Sequence, residues 1–183
     1  MSFRLSALVA ALVLTVAAFA APATTVLPAD AGHELVFVHP GGWQARVSGG
    51  AHGGALSFLP AESGDFRIVV QAMPRASGMP ANDAELEASV RRSGESMLHT
   101  ATQSALELVR VAGEQASGYV YHLTDRKPES GPGDFRELRG GAILVGPYFL
   151  AVEVLTHSDD TATVAEALAM LAAVRYQESP ARP

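Results

Sequence analysis

Residues able to do chemistry are present in this chain but scattered along it. Six histidines, His33, His39, His52, His99, His122 and His157, stand in a chain of 183 residues with no cysteine. No two of them are two or four residues apart, the spacings at which a strand or a helix presents a metal-ligating pair. A metal site would have to be assembled by tertiary contact: His39 and His52 flank a glycine-rich connection across which they could approach one another, and His122 and His157 lie at strand ends. The run His157-Ser158-Asp159-Asp160 holds triad residue types side by side, yet a relay needs side chains converging from different segments. Ser158, Asp159 and Asp160 are better explained as capping groups at a helix start. Ser93 and Ser96 fall within a helical pattern and lack the glycine-flanked elbow of a nucleophilic serine. Glu85 and Glu87, two apart on that helix, diverge. The groups "SGGAHGG" and "RGGAILVG" lack the lysine and hydroxyl of a phosphate-binding loop. No catalytic, cofactor-binding or metal-ligating residue is assigned, and no cofactor is expected.

Two further residues stand out. Glu153 interrupts the apolar run "YFLAVEVLT", sharing a face with Phe149, Ala151 and Leu155. It points either to solvent from an edge or open face, or into the interior beside a cation such as Arg139 or Arg110. Charges avoid full burial, which favours the open face. Trp43, the only tryptophan, follows the strand-like "HELVFVH" and the breaker His39-Pro40-Gly41-Gly42. Proline cannot donate to a ladder and glycine permits positive φ, so a turn is expected there. The expectation is that this turn reverses the chain and sets the indole against a helix as a plug closing one end of a sheet. Exposure as a partner-binding anchor is the alternative.

The elements that must position these residues follow from periodicity. Strands are expected at "HELVFVH", from Trp43 onward, at "ALSFLP" and at "DFRIVVQAMP", where Phe66, Ile68, Val70 and Ala72 share one face. "NDAELEASVRRSGESML" predicts an amphipathic helix, capped by Asn82 or Asp83 with Glu85 three residues after Asn82. Gly94 weakens its middle. "ALELVRVAG", "SGYVYHLTD" and "ELRGGAILVGPYFLAVEVLTH" predict further strands, the last long enough to be two joined at Gly146-Pro147. "DRKPESGPGD" between them is a solvated hairpin loop. A second helix carries Val164, Leu168 and Leu171 on one stripe, and "QESPARP" reads as coil.

Residues 1–20 carry Arg4, an apolar run from Leu5 to Ala18 and a small-residue end, the layout of a cleaved secretory signal, with an uncleaved membrane anchor as the alternative. The apolar run is shorter than the ~20 residues that span a hydrocarbon core, so no stable membrane span is expected after cleavage. Residues 21–32, rich in Ala, Pro and Thr, are expected to be a flexible leader. One domain then occupies residues 33–177, with a disordered tail at 178–183. Losing residues 1–20 leaves 12 Lys and Arg against 19 Asp and Glu, a formal charge of −7. That balance opposes phosphate backbones, so nucleic acid is not an expected partner. An exported domain without disulfides is held together by apolar burial, and one near 150 residues buries roughly 70% of its unfolded surface.

Strands, a helix, more strands and a closing helix make an α+β class, an antiparallel sheet with two helices packed on it. The opening "FVHPGGWQ", the strand "FRIVVQAMP", the hairpins "GYVYHLTD" and "RGGAILVGPYFLAVEVLTH", and the closing helix resemble the Mog1/PsbP-like family, in particular its exported bacterial members. The resemblance runs from His33 to Tyr176. It implies a non-catalytic binding or assembly module in the periplasm, or secreted, whose partner is another periplasmic or envelope protein or a small ligand. Two rival expectations are a metal-dependent or hydrolytic enzyme using His39 and His52, and an inhibitor or immunity-like partner of an exported enzyme.

Overall fold

In the strand Phe66–Pro74 (β5), Phe66, Ile68, Val70 and Ala72 are buried while Arg67 and Gln71 are exposed. The same alternation runs through the strands beside it and divides a large sheet into two faces. The computed structural model describes residues 21–30, 32–50, 53–60, 66–127, 131, 134–157 and 161–179. The other strands are Ala23–Pro28 (β1), His33–His39 (β2), Trp43–Gly50 (β3), Gly53–Pro60 (β4), Leu108–Ala112 (β6), Ala116–Thr124 (β7), Glu137–Val145 (β8), Tyr148–Thr156 (β9) and Arg175–Glu178 (β10). Two helices, Asp83–Met97 (α1) and Thr161–Ala172 (α2), complete the order.

The strands form two antiparallel sheets instead of the single sheet expected from the sequence. β1-β2-β10 make a small sheet, and β3-β4-β5-β9-β8-β7-β6 a large one. The chain passes from one sheet to the other at the turn after Pro40. Trp43 N–H donates to Pro40 O at 3.0 Å, so the chain leaves β2 and enters β3 as a member of the other sheet. Neither Gly41 nor Gly42 uses positive φ. Beyond β8, Gly146 does, at +54°, where the chain reverses at Gly146-Pro147 between β8 and β9.

The leader is also corrected. Residues 23–28 pair along their whole length with β2, from Ala23 opposite His39 to Pro28 opposite Glu34. Thr24, Thr25 and Val26 are β-branched and suit a strand despite the Ala and Pro around them, and tertiary contacts hold it. Leu27 is 2% exposed in the main core, and its Cδ1 stands 2.6 Å from where a Cβ on Gly54 would be. Glycine on β4 therefore lets β1 approach. Gln177, expected as coil, and Glu178, expected as tail, belong to β10 and pair with Glu34 and His33.

One face of the large sheet is buried. Leu56, Phe58, Ile68, Val70, Leu150 and Val152 form the main core with Leu35 and Phe37 of the small sheet and Val164, Ala167 and Leu171 of α2. On the other face α1 packs over β7 and β8, burying Leu86 and Val90 against Tyr121, Leu123 and Ala142. The helix starts as its sequence predicts: Glu85 N–H donates to Asn82 Oδ1 at 3.0 Å, and Glu85 Oε2 accepts from Ala81 N–H at 2.8 Å. It runs on through Gly94, where a Cβ would stand 2.7 Å from Leu106 and 2.8 Å from the Tyr121 ring, so the close packing there needs glycine.

Candidate functional site

α1 covers only part of its face. Toward β9, β5, β4 and β3 the outer face carries Glu153, Arg67, Gln71, Gln44 and Arg46, all exposed, among half-buried Val69, Phe149 and Ala151. Register aligns Arg46 with Ser57, Ser57 with Val69, Val69 with Glu153 and Glu153 with Gly140, one row across five strands. Where α1 meets this open half there is a cleft of about 220 Å³. Ser89, Val90 and Ser93 form its helical wall, Gly140, Ala142 and Ala151 its floor, and Phe149 and Glu153 its two ends on β9. The floor is low because Gly140 has no side chain: a Cβ would lie 2.6 Å from the Tyr121 hydroxyl and 2.7 Å from its ring.

Glu153 thus lies on a central strand, exposed, on the half of the face that α1 leaves open. It is neither at an edge nor beside Arg139, which is buried and projects from the opposite face of β8. Trp43 is 9% exposed, on the core face. The indole meets Phe66 at 4.9 Å and Phe58 at 6.2 Å between ring centroids. The indole thus packs among aromatic rings in the core that the two sheets share with α2. His39 is 4% exposed. Its Nδ1 lies 2.9 Å from Pro40 O, which can only accept, so Nδ1 carries a proton, and Nε2 shares a hydrogen bond with the Thr25 hydroxyl at 2.9 Å. Both ring nitrogens are engaged, and the ring packs against Phe58. His52, Ser158, Asp159 and Asp160 lie outside the described residues. Among the described residues, no three histidine, aspartate or glutamate side chains gather in metal-binding geometry.

Three polar clusters escaped the sequence reasoning. On β7 and β8, Glu137 Oε2 meets His122 Nε2 at 2.7 Å and accepts the Thr124 hydroxyl at 2.8 Å, and Gln103 Nε2 donates to Thr124 Oγ1 at 3.0 Å. Thr124 thus gives its proton to the carboxylate and none to the imidazole, which is not the order of a nucleophilic relay. At the start of α1, Asp83 accepts from the Tyr119 hydroxyl at 2.7 Å and the Ser117 hydroxyl at 2.8 Å, with Arg110 at 3.7 Å. The Tyr119 and Ser117 hydrogen bonds, with help from Arg110, hold the Asp83 carboxyl below the usual carboxylate range. The same bond pushes the Tyr119 phenol up. Beyond β1, Asp30 accepts from Gly32 N–H, His33 Nδ1 and the Tyr176 hydroxyl, the first two lowering its carboxyl most. Tyr176 stacks on His33 at 4.8 Å, and Tyr148 donates to Ala29 O at 2.6 Å. The i, i+2 pairs Ser117/Tyr119 and His122/Thr124 were visible as same-face polar groups on one strand. Their acidic partners, Asp83 on α1 and Glu137 on β8, become visible only with the register.

No family model and no curated protein matches the chain. The fold is similar to that of the cyanobacterial PsbP (CyanoP) of Synechocystis sp. PCC 6803 in its solution structure, at a TM-score of 0.50 and 17% identity. The likeness covers 85% of this chain and 92% of that one. The chain thus has a PsbP-like α+β fold, and at this identity the likeness is one of fold.

Proposed function

We propose that this chain is an exported, non-catalytic binding module that seats a protein partner on the uncovered half of its large sheet. The observation that carries the reading is the asymmetry of the sheet. One face is covered by the small sheet and α2, whereas α1 shelters only the β7 and β8 side of the other. An outer face holding Gln44, Arg46, Arg67, Gln71 and Glu153 is polar enough to stay soluble alone. Val69, Phe149 and Ala151 give it apolar surface to bury in a complex. The signal-like residues 1–20 support export, and among the described residues no helix is long and apolar enough to cross a membrane. The acidic balance argues for a partner other than nucleic acid. The polar clusters tie elements together without presenting an activated nucleophile, which supports binding over hydrolysis.

The test places a photo-crosslinking residue at Gln44 or Gln71 on the open half, and at Glu166 on α2, in the cells that make the protein. Adducts from the first two and none from Glu166 support the reading. Silence at Gln44 and Gln71, or equal yields at all three, removes the open half as the partner surface.

A further inference from the structure

We propose that the cleft between α1 and β9 receives one arginine side chain of the partner polypeptide, with an acidic residue of the same segment lying toward Arg67. This rests on the open half being the partner surface, and it adds what the surface recognises. Pockets that take drug-sized ligands measure roughly 300–1,000 Å³. At about 220 Å³ the cleft is smaller than that and has room for one long side chain.

Its chemistry is one-sided. Glu153 brings an exposed carboxylate with no ion pair or hydrogen bond among the described residues, and Ser89 and Ser93 face the same space with hydroxyls likewise unengaged. A carboxylate flanked by hydroxyl acceptors suits a planar fork of N–H donors better than a compact ammonium. The floor is flat and small, made of Gly140, Ala142 and Ala151, so an alkyl stem can lie along it. Glu153 and Phe149 are four residues apart on β9, about 13 Å, a span that accepts an extended stem.

Beyond the cleft the sign of charge changes. Arg67 lies opposite Leu155 on the neighbouring strand, diagonal to Glu153, and forms no ion pair with it within 4.0 Å. Arg46 stands three strands from Glu153 in the same row, about 14 Å away. A segment that puts arginine in the cleft therefore passes basic residues as it runs outward. An acid beside the arginine complements them.

The experiment titrates three peptides into the ¹⁵N-labelled protein lacking residues 1–20: acetyl-Ala-Arg-Ala-Glu-Ala-amide, the same with citrulline for arginine, and the same with lysine for glutamate. Citrulline keeps the shape and loses the charge. The expected result is saturable shifts of the Gly140, Gly141 and Ala151 amides with the first peptide, and binding about fivefold or more weaker with either of the others. Glu153→Gln and Ala151→Leu, the second filling the floor, should each abolish those shifts while the remaining spectrum stays folded. Equal binding of arginine and citrulline, shifts elsewhere, or an unaffected Glu153→Gln overturns the proposal. So does binding of free agmatine as tight as the peptide, which would make the cleft a small-cation site. Crosslinks from Gln44 and Gln71 with a null peptide titration would leave the partner surface standing and sink the arginine inference alone.

Discussion

Replacing Leu27 by alanine tests whether residues 23–28 are a structural strand. Leu27 is 2% exposed in the core shared by both sheets. Removing a leucine so buried costs about 2–5 kcal/mol, a large share of the ~5–15 kcal/mol of a typical domain. With a urea slope of ~2 kcal/mol per molar, the midpoint should fall by about 1–2.5 M. The chain supplies its own reporter: Trp43, the only tryptophan, is packed against Phe58 and Phe66 in the same core, so its fluorescence follows the loss of that core. Gly54→Ala then isolates the contact. Its new methyl would stand 2.6 Å from Leu27 Cδ1, an overpacking that costs about 1–3 kcal/mol in the natural background. In the Leu27→Ala background the clash is gone and the methyl refills space, so the two substitutions should couple by ~1 kcal/mol or more. A midpoint shift for Leu27→Ala below about 0.3 M, or strict additivity of the pair, would refute a docked β1 and restore a flexible leader.

Trp43→Ala should lose about 3–5 kcal/mol of stability in a thermal or urea melt; an unchanged melting temperature would place the indole outside the core. Gly140→Ala drives a Cβ into the Tyr121 ring and should cost about 1–3 kcal/mol, a penalty that Tyr121→Ala removes; a neutral Gly140→Ala contradicts the packing of that ring. Asp83 has a lowered folded pKa, so its contribution is fully present above the unfolded value near 3.8 and is lost as pH falls through the folded one. Stability measured from pH 6 down to pH 2 should therefore drop less steeply in Asp83→Ala, and the Tyr119 absorbance titration should move to lower pH in that variant; identical curves would discount the Asp83–Tyr119 bond. Protein purified without an affinity tag should carry no stoichiometric zinc or copper, and finding either would revive a metal-dependent role.

Much of the fold was legible because its signals are local. The cap of α1 needs only Asn82 and Glu85, and the faces of β5 need only alternation. The β8–β9 reversal needs only Gly146-Pro147. What the sequence hides is long-range. β2 and β3 are neighbours in sequence, but pairing between sheets is decided by what β2 can bury, and β10, at the far end of the chain, completes its sheet. β1 carries the β-branched Thr24, Thr25 and Val26 inside a stretch rich in Ala and Pro, and Leu27 on Gly54 and Thr25 on His39 hold it. Gly94 reads as a weak point until Leu106 and Tyr121 are placed against it, and the closeness of Gly140 to Tyr121 shows only in the fold. Glu153 shows the same limit: alternation assigned its face, but only the placement of α1 says how much of that face is covered.

The uncovered half of the large sheet as the partner surface is tested most directly by thiol labelling, since the natural chain has no cysteine to interfere. Gln71→Cys and Glu166→Cys are each treated with a maleimide, as purified protein and in the intact envelope. The account predicts that both label readily when purified and that only Gln71→Cys is protected in the envelope. Equal labelling of Gln71→Cys in the two settings would contradict it.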